Sequence, residues 1–234
     1  RPLHAAARLR PRGGPVMAND KHKEAAPSSA RLIATLAIAG LISGIAIIGI
    51  YESTLPTITA NKARELREAV FKVLPGVSRM QALVNRDGQL VAVAEPAKDE
   101  PVVYGGYDDA GDFVGYAMPG AGPGFQDTIA LLYGYKPNEK LVVGMEILES
   151  RETPGLGDKI YKDMDFVDDF FALAVEPEIV AVKKGTKTSP NHVDAITGAT
   201  ISSKAVVRII NETHVSWTGN LPAPGDEPAL EEAP

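Results

Sequence analysis

The 234-residue chain contains no cysteine. Disulfide frameworks, thiolate zinc sites, iron–sulfur ligation and cysteine nucleophiles are therefore excluded. Histidine is scarce, with four scattered copies, which leaves little from which to build an imidazole metal site. Basic charge is short as well: 24 Lys and Arg stand against 30 Asp and Glu, for a formal net charge of −6. Nucleic-acid binding needs a basic footprint, so that class is set aside. No G-x-G-x-x-G follows a strand and opens a helix, so a Rossmann dinucleotide domain has no support. No internal repeat is evident. What is present, 44% hydrophobic and 23% charged residues, is a globular composition and rules out a wholly disordered chain.

Charge is unevenly spread. Residues 1–31 hold seven basic and two acidic side chains, a net of +5, which leaves −11 for the rest. Residues 1–16, RPLHAAARLRPRGGPV, are rich in Arg, Pro and Gly and show no periodicity. Met17 opens a more ordinary start, so residues 1–16 are expected not to be native and stay outside the fold reasoning. From Leu32 to Tyr51 runs LIATLAIAGLISGIAIIGIY, twenty residues without a charge. At about 1.5 Å per residue such a helix spans roughly 30 Å, the hydrocarbon thickness of a bilayer. Gly40 and Gly44 match the close-packing pattern GxxxG. A cleavable signal peptide or a buried core helix would also be apolar. A signal core is usually shorter and ends at an A-x-A-like site, whereas this run ends in Tyr51-Glu52-Ser53. An uncleaved single-pass anchor is the preferred reading. Lys21, Lys23 and Arg31 precede the span, and no Lys or Arg occurs from 52 to 61. That modest bias favours an N-terminus in the cytoplasm and a main domain outside it.

Beyond the span, Thr57–Leu74 carries an apolar face at helical spacing and is stopped by Pro75-Gly76. Strands are expected at Met80–Val84 and Leu90–Glu95 around an Asp87-Gly88 turn, then at Val102–Tyr107, Asp112–Met118, Asp127–Tyr135 and Leu141–Ser150. A helix is expected over Asp158–Leu173, a short strand at Ile179–Lys183 and a last helix from Thr200 to about Thr213. Strands first and helices later predict an α+β fold, a single mixed sheet-and-helix domain behind one N-terminal membrane helix. The expected divisions are 1–31 (cytoplasmic segment), 32–51 (span), 52–76 (connecting helix), 77–216 (extracytoplasmic domain) and 217–234 (disordered acidic tail).

Three segments concentrate Gly and Thr at element ends: Pro119–Asp127, Glu152–Gly157 and Asp194–Thr200. The third opens the last helix, where unpaired N–H groups and the positive dipole end can hold a phosphate. Gly198 would allow close backbone approach, Thr197 and Thr200 supply hydroxyls, and Lys204 lies one turn on. A plain N-cap explains the same residues, and on physics alone it is favoured. In the second segment Pro154 fixes one dihedral while Gly155 and Gly157 permit positive φ, so the loop could lie against a planar ligand. A simple strand-to-helix connection is the alternative, again favoured on physics alone.

ETPGLGDK at 152–159 followed by DAITGATISSKAV at 194–206 resembles the FMN-binding domain of the G subunit of Rnf electron-transport complexes. The chain is similar, more distantly, to the C subunit of the sodium-pumping NADH:quinone reductase. The single N-terminal span, the LPG at 74–76 and the Gly-rich segment at 120–125 also fit, and the resemblance covers about residues 30–214. It implies a motif of Asp194, Thr197, Gly198 and Ala199, with Thr200 as the acceptor of covalent FMN through a phosphoester. A separate Mg²⁺-dependent flavin transferase would install the group from FAD. It further implies that Glu152, Thr153, Pro154, Gly155, Leu156 and Gly157 lie against the isoalloxazine, with Thr153 touching the ring and Gly122, Gly124, Phe125 and Gln126 closing the other side. Phosphate charge at the helix start would lie near Lys204 if that side chain points back.

The function so implied is electron transfer inside a membrane complex that couples ferredoxin and NAD⁺ to ion movement, with the other Rnf-type subunits as partners. The alternatives are the quinone-reductase C subunit, a membrane-anchored FMN-binding sensor without respiratory electron transfer, and an anchor with no ligand. No metal site and no turnover of NADH by the subunit alone are expected.

Overall fold

The computed structural model describes residues 28–97 and 100–231. The expectations for the extreme N-terminus, including the native start at Met17, lie outside the described residues. The chain divides into two compact units at the Leu55–Pro56 junction.

Helix α1 (Ser29–Val73) is one continuous element of 45 residues, where the sequence suggested a span and a separate connecting helix. Pro56 lies inside it and removes one intrahelical donor. The hydroxyls just before it bond back to carbonyls of the preceding turn: Ser53 donates to the Ile50 carbonyl at 2.8 Å and Thr54 to Ile50 and Tyr51 at 2.9 and 3.0 Å. Its first half is long and apolar enough to cross a membrane, and none of that run is buried in protein. The helix ends where Pro75-Gly76 was expected to end it, with Gly76 at φ +93°.

The second unit is built on a seven-stranded antiparallel sheet of order β2-β1-β3-β4-β5-β6-β7. The strands are β1 (Arg79–Arg86), β2 (Gln89–Val93), β3 (Val102–Tyr107), β4 (Phe113–Pro123), β5 (Thr128–Lys136), β6 (Leu141–Ser150) and β7 (Leu173–Ala174). Asp87 and Gly88 take φ +53° and +87° between β1 and β2, the backbone of a type I′ hairpin turn. A parallel pair, β8 (Val180–Lys183) and β9 (His192–Ala195), leads into helix α4 (Thr200–Thr218). The α+β class is borne out.

Both faces of the sheet are covered. On one, Ala69, Val70, Val73 and Leu74 of α1 and the turn after it pack on Ala117 and Leu132. On the other, Val206, Ile209 and Ile210 of α4 pack on Tyr116, Met118, Leu131 and Tyr133. Residues 116 and 118 face α4 while 117 faces α1, as the two-residue strand period demands. Each fully buried Val or Leu here contributes about 1.5–3 kcal/mol relative to exposure. Glycines seat both helices. A Cβ at Gly120 or Gly122 would meet Ile209 of α4 at 3.0 and 2.9 Å, and one at Gly134 would run into the Val73 carbonyl.

Four expectations need correction. The helix over Asp158–Leu173 is two short pieces, α2 (Lys159–Lys162) and α3 (Met164–Asp168), followed by β7. Asp163 interrupts them with φ −84° and ψ 101°, the extended backbone of a residue that caps rather than continues a helix. The glycine-rich stretch from 119 to 123 is strand, because β4 continues through Pro123. Strand β9 was not expected at all. The tail expected to be disordered returns to the sheet: Tyr107 Oη donates to the Pro228 carbonyl at 2.6 Å, Gln81 Nε2 donates to the Ala229 carbonyl at 3.0 Å, and Gln81 Oε1 accepts the Glu231 amide at 2.9 Å.

Candidate functional site

The site is assembled where β9 turns into α4. Ile196 is buried, and the Ala199 amide donates to the Ile196 carbonyl at 3.0 Å, closing a four-residue turn. Gly198, third in that turn, has φ +86°, a conformation that L side chains adopt only with strain. Its added Cβ would meet only Leu156 at 3.9 Å, so the requirement for glycine is one of backbone conformation. Ser203, fully buried, fixes the turn from below: its Oγ accepts the Ile196 amide at 3.1 Å and donates to the Ala199 carbonyl at 2.9 Å. Ala199 occupies the N-cap position and no side chain caps the helix. The first amides of α4 therefore point outward with the positive end of the helix dipole behind them.

Thr200 is the first residue of α4 and is exposed. Its Oγ1 makes one long hydrogen bond, 3.4 Å to the Ile196 carbonyl. Thr200 is part of the lining of a cleft of about 330 Å³, with Phe125, Thr153, Leu156, Gly157, Gly198, Ala199, Ile201 and Ser202. Phe125, Leu156 and Ile201 stand 63%, 51% and 58% exposed around it. Three large apolar side chains left open at one cleft form an unpartnered apolar rim.

The opposite wall is the loop after β6. The Thr153 carbonyl accepts the amides of Leu156 and Gly157 at 3.1 and 2.9 Å, curling the loop, and Gly155 takes φ +79° at its tip. Thr153 Oγ1 lies 2.9 Å from Gln126 Oε1 and donates to it. Glu152 points the other way, into the protein. Its Oε1 accepts the backbone amides of Phe125, Gln126 and Asp127 at 3.0, 2.9 and 3.4 Å, and its Oε2 accepts the Ser202 hydroxyl. Burial pulls this carboxyl upward, yet the Ser202 hydroxyl and the three amides outweigh it and hold the group below the ordinary carboxylate range.

Of the residues predicted from sequence, Thr153, Leu156, Gly157, Gly198, Ala199 and Thr200 line the cleft together. Pro154 and Gly155 are exposed at the loop tip beside it, and Thr197 is exposed on the turn. Asp194 is elsewhere: its Oδ2 accepts the Gly185 amide at 3.0 Å, and its own amide donates to Asp169 at 2.7 Å. Lys204 lines a separate groove with Val180, Ala181, Arg208 and Asn211. Gly122 and Gly124 seat α4 and the Glu152 carboxylate, and only Phe125 of that stretch reaches the cleft. Sequence reasoning gave Ile201, Ser202 and Ser203 no place in the site: Ile201 was expected on the apolar face of the last helix, with Ala205, Ile209 and Ile210. A wider groove of about 420 Å³, between α1 and β6, is bordered by the Lys72–Glu146 and Lys62–Glu149 ion pairs at 2.8 and 3.5 Å.

An apolar slot beside an uncapped helix start and an exposed hydroxyl fits a ligand that is planar and aromatic at one end and anionic at the other. FMN has that shape and charge. A family model for an FMN-binding domain matches residues 124–214, which contain this cleft. The G subunit of the ion-translocating oxidoreductase complex of Methanosarcina acetivorans is 28% identical over 76% of this chain and 88% of its own length. The G subunit of the Na⁺-translocating ferredoxin:NAD⁺ oxidoreductase complex of Acetobacterium woodii is 34% identical over 60% of this chain and 68% of its own. Among solved structures, Shewanella oneidensis NqrC aligns with a TM-score of 0.54 at 21% identity, over 65% of this chain and 91% of that one, a likeness of fold.

Proposed function

The chain belongs to the family of G subunits of ion-translocating oxidoreductase complexes, and from that premise we propose that it is the FMN-bearing electron relay of a ferredoxin:NAD⁺ oxidoreductase of the Rnf type. The observation that carries the reading is the meeting of an exposed Thr200 hydroxyl, an uncapped helix start and an apolar-walled cleft in one place. Bound FMN would supply chemistry that no side chain here has, the uptake and release of one or two electrons.

The protein's own part is placement. The first amides of α4 would hold the phosphate, whose charge the helix dipole favours. Thr200 Oγ1 would hold the flavin phosphate as a phosphoester, which a partner flavin transferase would install from FAD, breaking its pyrophosphate and releasing AMP. Phe125, Leu156 and Ile201 would exclude water from the ring, and the curled 153–157 loop would present backbone to it. Pro154 and Gly155 shape that loop. Thr197, Gly198 and Ala199 form the turn that aims Thr200, and Asp194 anchors the strand before the turn. Linkage through the phosphate leaves the ring unmodified and prevents its loss.

Residues 32–51 anchor the chain in the cytoplasmic membrane as a single pass, with the N-terminus inside and the FMN domain outside. Lys21, Lys23 and Arg31 before the span support that orientation. Protease added to intact spheroplasts should then digest the domain; digestion only after lysis would reverse the topology.

A relay needs no pocket that aligns a nicotinamide with the flavin. The flavin-loaded subunit alone is therefore expected to be reduced by dithionite but only slowly by NADH, and the other members of the complex should make reduction fast. Rapid, saturable NADH oxidation by the isolated subunit would defeat the relay reading.

A further inference from the structure

Building on the FMN reading, we propose that Glu152 is a positioning residue whose buried carboxylate, one residue layer beneath the cleft, fastens the 125–127 turn to the first turn of α4 and holds the flavin's midpoint potential down. Both carboxylate oxygens are spent on the two walls of the cleft. Oε1 accepts three consecutive amides, from Phe125, Gln126 and Asp127, and Oε2 accepts the hydroxyl of Ser202, fifty residues further along the chain. Phe125 and Ser202 are themselves cleft residues. A single side chain therefore sets the distance between the aromatic lip and the helix start.

The surroundings are shaped for this carboxylate. A Cβ at Gly124 would lie 2.5 Å from Oε1, and one at Gly157 would lie 2.8 Å from Oε2. Two glycines, from the segment after β4 and the loop after β6, thus leave the room the group occupies. Glu152 is only 5% exposed, and every partner donates to it, which is the pattern of an ionised carboxylate. Its charge is poorly screened by water at that depth. Gly157 and Ser202 touch the carboxylate on one side and line the cleft on the other. A fixed negative charge at that range opposes the arrival of an electron in the cleft, so it lowers the potential of whatever redox group is bound there.

Two substitutions separate the clamp from the charge. Glu152→Gln keeps the shape and removes the charge; Glu152→Ala removes both and leaves three amides without their acceptor. In the full chain without flavin, hydrogen exchange at Phe125, Gln126 and Asp127 should be slow in the native protein. In Glu152→Ala it should be about tenfold faster or more, the loss expected when amides lose a charged acceptor. Equal exchange in the two proteins would overturn the clamp. In flavin-loaded protein, redox titration should place the midpoint of Glu152→Gln positive of the native value. An unchanged or more negative midpoint in a folded, loaded variant would overturn the tuning role. Native protein that takes up no flavin would instead defeat the functional reading and the tuning with it, while the exchange measurement still decides the clamp.

Discussion

Thr200→Ala is expected to give a folded protein that carries no covalent flavin and passes no electrons in the assembled complex. The fluorescent band of the denatured protein on a gel should vanish completely, because the other hydroxyls on the first turn of α4, those of Ser202 and Ser203, are buried and committed to Glu152 and to the 196–199 turn. Folding should be little affected. Thr200 is exposed, its one side-chain hydrogen bond is 3.4 Å long, and alanine suits a first-turn helical position. A surface change of this kind costs within about 0.5 kcal/mol. Thr197→Ala is the control: that residue is also an exposed threonine of the same motif, and its variant should keep the flavin. Fluorescence that survives in Thr200→Ala and disappears in Thr197→Ala would move the attachment to the turn.

The largest effect on stability should come from Gly134→Ala, far from the cleft. The new methyl would collide with the Val73 carbonyl oxygen and sit 2.8 Å from its carbon, both backbone atoms at the end of α1. Backbone cannot swing aside as a flexible side-chain tip can. Either the helix end lifts off the sheet, exposing Val70, Val73 and Leu74, or β5 distorts. A loss of about 3 kcal/mol is expected, the upper part of the range for overpacked sites. Gly219→Ala, where an added Cβ meets nothing within 4 Å, should leave the denaturation midpoint nearly unchanged. Equal midpoints for the two variants would mean that α1 does not bear on the sheet as described.

Much of this fold is legible in the sequence because its signals are local. Val102–Tyr107 and Leu141–Ser150 are strands with the bounds that their composition suggested, and Asp87-Gly88 marks its turn by the chemistry of positive φ. The 45-residue helix was half legible: its apolar run and its Pro-Gly stop are plain, but the polar stretch between the apolar run and Thr57–Leu74 hides that the two are one helix. Acidic residues around 163–169 look like a helical face, whereas Asp163 in fact divides two short helices. Strand β9 is four residues long and takes its identity from β8 through a parallel pairing that no short-range pattern encodes.

The site divides in the same way. The Thr-Gly-Ala-Thr turn shows its purpose in sequence, since a positive φ is wanted where Gly198 stands. Glu152, read as a ring contact, does not line the cleft, because its carboxylate is spent on residues 25 to 50 positions away that build the cleft's walls. Ser202 and Ser203 lie inside an apolar helical pattern and look incidental until their partners are seen. The alternating glycines at 120, 122 and 124 announce close approach but not what approaches, and α4 and a carboxylate turned out to be the neighbours.

Whether one FMN is joined through its phosphate to Thr200 can be read by fragmenting the flavin-bearing peptide of the protein matured with its transferase. Tryptic cleavage after Lys187 and Lys204 releases a peptide that contains both Thr197 and Thr200. The fragment series should carry the flavin phosphate mass on Thr200 and leave Thr197 unmodified. Flavin mass on Thr197, or a peptide of unmodified mass from a protein that still holds its flavin, would contradict it.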